Sequence, residues 1–164
     1  MIGLLLLTLG AQTPAIPKVV VTIEEPEAVR IVEGEPAEAR IVATIKDGFK
    51  IQANPAADRF LIPARLRFEP DDRVRVGPPK YPAGKSYRLQ GATSELSIYE
   101  KTVEIRVPLE ATDSAQPAEA SGTEFMLQGS LRFQACNAVV CLKPSSVPVR
   151  VLVRIGPGEK PPPR

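Results

Sequence analysis

Two cysteines are the residues in this chain best equipped to do chemistry. Cys136 and Cys141 stand close together, enclosing Asn137-Ala138-Val139-Val140. Thiols at this spacing suit a disulfide, exchange of that disulfide with another thiol, or part of a metal site. Metal is the weakest of the three, because two thiolates without histidine or further cysteines leave a tetrahedral site half empty. Haem attachment requires Cys-x-x-Cys-His, a pattern the chain lacks. There is no histidine anywhere, which removes Ser-His-Asp and Cys-His catalysis and the commonest neutral-pH base. No metal and no cofactor is therefore expected.

A Cys136–Cys141 bond has two readings, a structural staple and a redox couple. Closing a loop of about six residues restricts the unfolded chain by only about 2 kcal/mol, against about 5 for a hundred-residue loop. A fold in need of a staple gains more by joining its sheets across many residues. The short loop therefore favours a bond that opens and closes, with the staple as the alternative.

The elements that must position this pair are strands. Period-two alternation runs through Val19–Ile23, Ala39–Ile45, Leu66–Phe68 and Val74–Val76. It is clearest where Val103, Ile105, Val107 and Leu109 alternate with polar residues, and again along Phe125 to Phe133 and Val147 to Ile155. No helical stripe of useful length interrupts them. Asp47-Gly48 predicts a hairpin turn, with Phe49–Ala53 as the return strand. The 18 prolines argue against long helices. Regularly spaced short strands with turn signals between them predict an all-β, antiparallel β-sandwich. The stretch Ala111–Gly122 reads as a surface loop.

At 164 residues the chain is long enough for one domain with its own core. Its 21 basic and 19 acidic residues leave a net charge of +2 with no basic run, so nothing calls for a nucleic-acid partner. Residues 1–15 open on the apolar run Met1–Ala11 and read as an export leader, cleaved after Ala11 or Ala15, shorter than a usual signal and without a basic n-region. That run is too short to span a bilayer, and the mature form is expected to hold no membrane span. Residues 16–155 form the sandwich domain, and the proline-rich 156–164 a disordered tail. Export permits the cysteines to be oxidised.

The stretch Phe133-Gln134-Ala135-Cys136-Asn137 to Cys141-Leu142-Lys143-Pro144 resembles the signature of the N-terminal periplasmic domain of the thiol:disulfide interchange protein DsbD. That family carries an aromatic-Gln-Ala-Cys stretch, a short gap, then Cys-Leu-Pro-Pro or a close variant. Further blocks resemble it in the same order: Asp47–Asn54, Leu61–Leu66 and Lys80–Gly84. The resemblance covers about Ala39 to Ile155. It implies an immunoglobulin-like sandwich whose cysteine pair carries electrons to oxidised thioredoxin-fold periplasmic proteins, a role linked to cytochrome c maturation. It further implies that Cys141 contacts partners and Cys136 resolves the mixed disulfide.

The resemblance also implies a cap loop over the disulfide, here Tyr87-Arg88-Leu89-Gln90-Gly91, with Tyr87, Leu89 and Gln90 as its shielding residues. Leu89 stands where the family usually presents an aromatic ring, and Lys143 replaces a proline. The chain ends after the sandwich, so a membrane thiol reductase is expected to act in trans. Lys143 and Arg132 are the cations nearest the thiols in sequence, each better read as an ordinary solvated residue of the outer face than as a group that activates a thiol. Phe133, Tyr99 and Tyr87 are candidate shielding rings, Tyr87 the best placed and Phe133 better read as core. Gln134 and Asn137 read as partners for backbone groups around the turn. The competing function is an exported binding module held by a permanent disulfide.

Overall fold

The computed structural model describes residues 19–32, 34–88, 93–115 and 122–156. The strands, in chain order, are β1 (Val21–Ile23), β2 (Val29–Val32), β3 (Ala37–Ile45), β4 (Lys50–Gln52), β5 (Arg65–Phe68) and β6 (Val74–Val76). They continue with β7 (Lys85–Tyr87), β8 (Leu96–Tyr99), β9 (Thr102–Ala111), β10 (Thr123–Phe133), β11 (Ala135–Cys136) and β12 (Ser145–Gly156). Among the described residues the only helix is a single 3-10 turn, Asp113–Ala115. The fold is an immunoglobulin-like β-sandwich: the alternation predicts the sandwich, and the family resemblance implies its immunoglobulin-like form.

Three four-stranded sheets carry it, ordered β1-β3-β9-β6, β2-β12-β10-β5 and β11-β4-β8-β7. The first two face one another. Ile41, Ile105, Val107 and Leu109 project from one, and Leu127, Leu131, Val149, Val151 and Val153 from the other, all buried. Each such side chain contributes roughly 1.5–3 kcal/mol by leaving water. Alternate residues point outward: Glu104 and Arg106 pair on the outer face, Nε to Oε1 at 2.8 Å. The long β10–β12 ladder runs from Thr123 opposite Ile155 to Phe133 opposite Ser145.

The third sheet closes one end of the sandwich and belongs to the same core through Ile51, Ala53, Tyr99 and Ala135. Its position corrects the hairpin expectation. The turn exists, with Gly48 at φ 83° and the Phe49 amide donating to the Lys46 carbonyl at 3.0 Å. The return strand does not pair with β3. Both hydrogen-bonding edges of β3 are already taken, by β1 on one side and β9 on the other. β4 therefore leaves for the third sheet, where it lies between β8 and β11. The alternation also missed β2, which runs parallel to the end of β12. The leader (1–15), the tail from residue 157 and residues 116–121 of the surface loop lie outside the described residues.

Candidate functional site

The chain switches sheets at Gln134, between β10 and β11. Phe133 ends β10 in the core, 5% exposed, and Cys136 ends β11 at the margin of the third sheet. Beyond it the backbone makes a tight turn, with the Asn137 amide donating to the Val140 carbonyl at 2.9 Å and the Leu142 amide to the Ala135 carbonyl at 2.8 Å. The Asn137 side chain organises this turn: its Oδ1 accepts from the Val139 and Val140 amides, both at 2.8 Å. Gln134 Nε2 donates to the Leu142 carbonyl at 3.1 Å. Both side chains thus serve backbone groups, as expected from their types.

This turn brings Cys136 and Cys141 together as an isolated antiparallel bridge, with Cα atoms 4.0 Å apart and the sulfurs bonded. Cys141 is exposed and Cys136 half-buried. The bond ties together one surface turn and joins no pair of sheets.

The disulfide forms one wall of a mainly apolar cavity of about 250 Å³. Strand register explains what faces it. Lys50 stands opposite Cys136 across the β11–β4 ladder, and Gln52, two residues on, shares its face and pairs with Ile98 on β8. Leu96 on β8 pairs with Tyr87 on β7. Lys50, Gln52, Leu96, Ile98 and Tyr87 therefore line one side of the cavity, with Leu61 from the preceding loop. Residues 137–140 line the other, where Val139 is 91% exposed. Lys50 Nζ sits 4.5 Å from the centroid of the Tyr87 ring, a cation–π contact that holds the ring beside the disulfide.

Of the three candidate shielding rings, only Tyr87 lines the cavity. Tyr99 points to the core side of its strand, opposite Ile51. Its hydroxyl donates to the Pro82 carbonyl at 2.8 Å and accepts from the Asn54 amide at 3.2 Å. Burial pushes its phenol pKa above the ordinary value. Leu89, Gln90 and Gly91 of the expected cap lie outside the described residues; Tyr87 and Arg88 lie within them. Next to that segment, the Glu95 carboxylate accepts from Ser86 Oγ at 2.7 Å and Arg88 Nη2 at 2.8 Å. These bonds, Ser86's first, hold its pKa below the usual carboxylate value.

The two cations nearest the cysteines in sequence are both exposed, in keeping with their reading as solvated residues. Arg132 lies on the solvent face of β10, and Lys143 lines a different cavity, beside Val19 and Val147. Lys50 is the cation beside the disulfide, and sequence reasoning missed it. The signal was within reach, since Lys50 and Gln52 are the two polar positions of the Phe49–Ala53 alternation and so share one face of that strand. Gln52 was missed likewise: it is 5% exposed, and its Oε1 accepts no hydrogen bond among the described residues. No cluster of metal-ligating side chains occurs among them.

A sandwich carrying an accessible, short-loop disulfide beside an apolar cavity is, by fold and site together, a domain of the thiol:disulfide interchange class. The family described as thiol:disulfide interchange protein DsbD, N-terminal, matches residues 21–152. This chain belongs to that family. No curated protein matches the chain. Among solved structures, the periplasmic chaperone SfaE is similar at 13% identity over 87% of this chain, with a TM-score of 0.33. The chain spans 59% of that chaperone's length. The CooA pilin subunit from enterotoxigenic Escherichia coli is similar at 10% identity over 87% of this chain and all of its own, with a TM-score of 0.27. Likenesses this distant bear on neither function nor partners.

Proposed function

We propose that this protein is an exported thiol:disulfide carrier, which takes electrons from a membrane thiol reductase and passes them to thioredoxin-fold partners. Residues 1–15 act as the leader in this reading, and the mature domain works in the periplasm or cell envelope. No helix among the described residues is long and apolar enough to cross a membrane. The observation that carries the proposal is where the bond lies: across one surface turn, with an exposed sulfur beside an apolar cavity.

In the reduced form the Cys141 thiolate attacks one sulfur of the partner's disulfide. That disulfide breaks, a Cys141–partner bond forms, and the partner's other sulfur leaves as a thiolate and takes up a proton. The Cys136 thiolate then attacks Cys141 Sγ and expels the remaining partner thiolate, which is protonated in turn. Two electrons and two protons reach the partner, and the Cys136–Cys141 bond is restored. The reverse sequence with the donor's dithiol recharges the carrier. The greater exposure of Cys141 supports its role as the contacting sulfur. A cation such as Lys50 beside the pair favours thiolate over thiol.

Tyr87, with Leu89 and Gln90 beyond it, acts as the shield that slows attack by small thiols. The test is a Cys136→Ser variant, which leaves Cys141 unable to be resolved, mixed with an exported-protein fraction. The carrier reading requires that Cys141 be recovered in mixed disulfides with thioredoxin-fold proteins. Recovery of none, with the variant folded, leaves the permanent-disulfide binding module in its place.

A further inference from the structure

Gln52 is the one buried polar side chain of the described core, and its Oε1 lacks a hydrogen-bond partner there. An acceptor in that state is costly, and buried polar groups are paired in the great majority of cases. A thioether or aliphatic side chain would fill the position without that cost. Gln52 lines the same cavity as Cys136 and Cys141; its Oε1 is covered in the free protein, so docking must turn the side-chain amide about its soft last torsion to present the oxygen. Its strand neighbour on that face is Lys50, the Cα partner of Cys136.

We propose that Gln52 is a positioning residue for docking, its Oε1 accepting a main-chain N–H from the partner segment that carries the reacting cysteine. The inference rests on the carrier reading above. A cysteine presented by any protein arrives with backbone amides one residue away on either side, whatever its neighbours. One backbone contact therefore serves several partners without reading their sequences. The amide oxygen suits the task because it is neutral: a carboxylate beside the sulfurs would oppose thiolate formation, as a nearby like charge does. The apolar remainder of the cavity excludes water from the bond and strengthens it.

The experiment compares oxidised wild-type protein with Gln52→Met and Gln52→Leu, attacked by two thiols. One is the blocked tripeptide acetyl-Ala-Cys-Ala-amide, which brings flanking N–H groups. The other is 2-mercaptoethanol, which brings none. In both variants the rate with the peptide should fall about fivefold, the worth of one hydrogen bond formed only on docking. The rate with 2-mercaptoethanol should stay within about twofold of wild type, and the denaturant midpoint should hold or rise. Equal peptide rates, or a parallel loss with both thiols, overturn the proposal. A lower midpoint in both variants also overturns it, whatever the rates, because Oε1 would then have its partner inside the chain. If the wild-type disulfide reacts with neither thiol, the carrier reading itself has failed and Gln52 falls with it.

Discussion

Lys50 and Cys136 face one another across the ladder that joins β4 to β11, and the same lysine lies over the Tyr87 ring at 4.5 Å. One side chain thus borders the disulfide and holds the aromatic ring beside it. The two roles separate by experiment. Replacing Lys50 with Gln should slow attack of the reduced protein on a small anionic disulfide at neutral pH by about two- to fivefold, the range for a half-exposed charge. Added salt should shrink that difference, since the interaction is screened. A rate unchanged at low salt removes the electrostatic role.

Tyr87→Ala opens the cavity from the other side. The oxidised variant should be reduced by a small thiol several-fold faster than wild type, while its stability changes by less than about 1 kcal/mol, because the ring is only half-buried. Leu89→Gly should act in the same direction. Stopped-flow reduction under pseudo-first-order conditions measures both. Equal rates would show that neither residue shields the sulfurs.

Reduction of the Cys136–Cys141 bond should leave the sandwich folded. The bond closes a short loop, so its loss costs no more than about 2 kcal/mol, and the core shared by all three sheets does not depend on it. Denaturant midpoints of the oxidised and dithiol forms test this directly. Cooperative unfolding on reduction would mark the disulfide as structural.

Glu95 braces the chain on both sides of residues 89–92 through Ser86 and Arg88. Its pKa is held below the ordinary 4.5, so the carboxylate form is the one favoured by folding. The brace is fully present above that ordinary value and is lost as pH falls through the lowered folded value. At pH 7, Glu95→Gln should therefore speed reduction by a phosphine about twofold over wild type. The ratio should approach one as the solution is acidified below 4.5. A ratio that stays constant with pH would disconnect Glu95 from access to the disulfide.

Gly84 precedes β7 where there is no room for a β-carbon, which would collide with Ser97 Oγ and Ala53 Cβ. Gly84→Ala must move β7 away from β8, at a cost of about 1–3 kcal/mol typical of overpacking. Because Tyr87 rides on β7, faster reduction should accompany the loss of stability. A destabilised variant with a wild-type reduction rate would show that Tyr87 does not depend on this packing.

The strands were legible in the sequence wherever one face is buried and the other solvated. Val103 to Leu109, Phe125 to Phe133 and Val147 to Ile155 carry their own alternation, and burial alone sets which face turns inward. The cysteine pair was legible for a similar local reason: a turn of four residues brings the sulfurs together whatever the rest of the chain does. Partnership between strands is a different matter. Asp47-Gly48 specifies a turn, but nothing local records that β3 has already filled both its edges, so β4 must join another sheet. That non-local competition for backbone hydrogen bonds put Lys50 beside Cys136 and Gln52 in the cavity, and it left Lys143 and Arg132 outside it. Nearness in sequence could not point to Lys50, because the residues facing a strand-edge disulfide come from ladder register, which only the assembled sheets define.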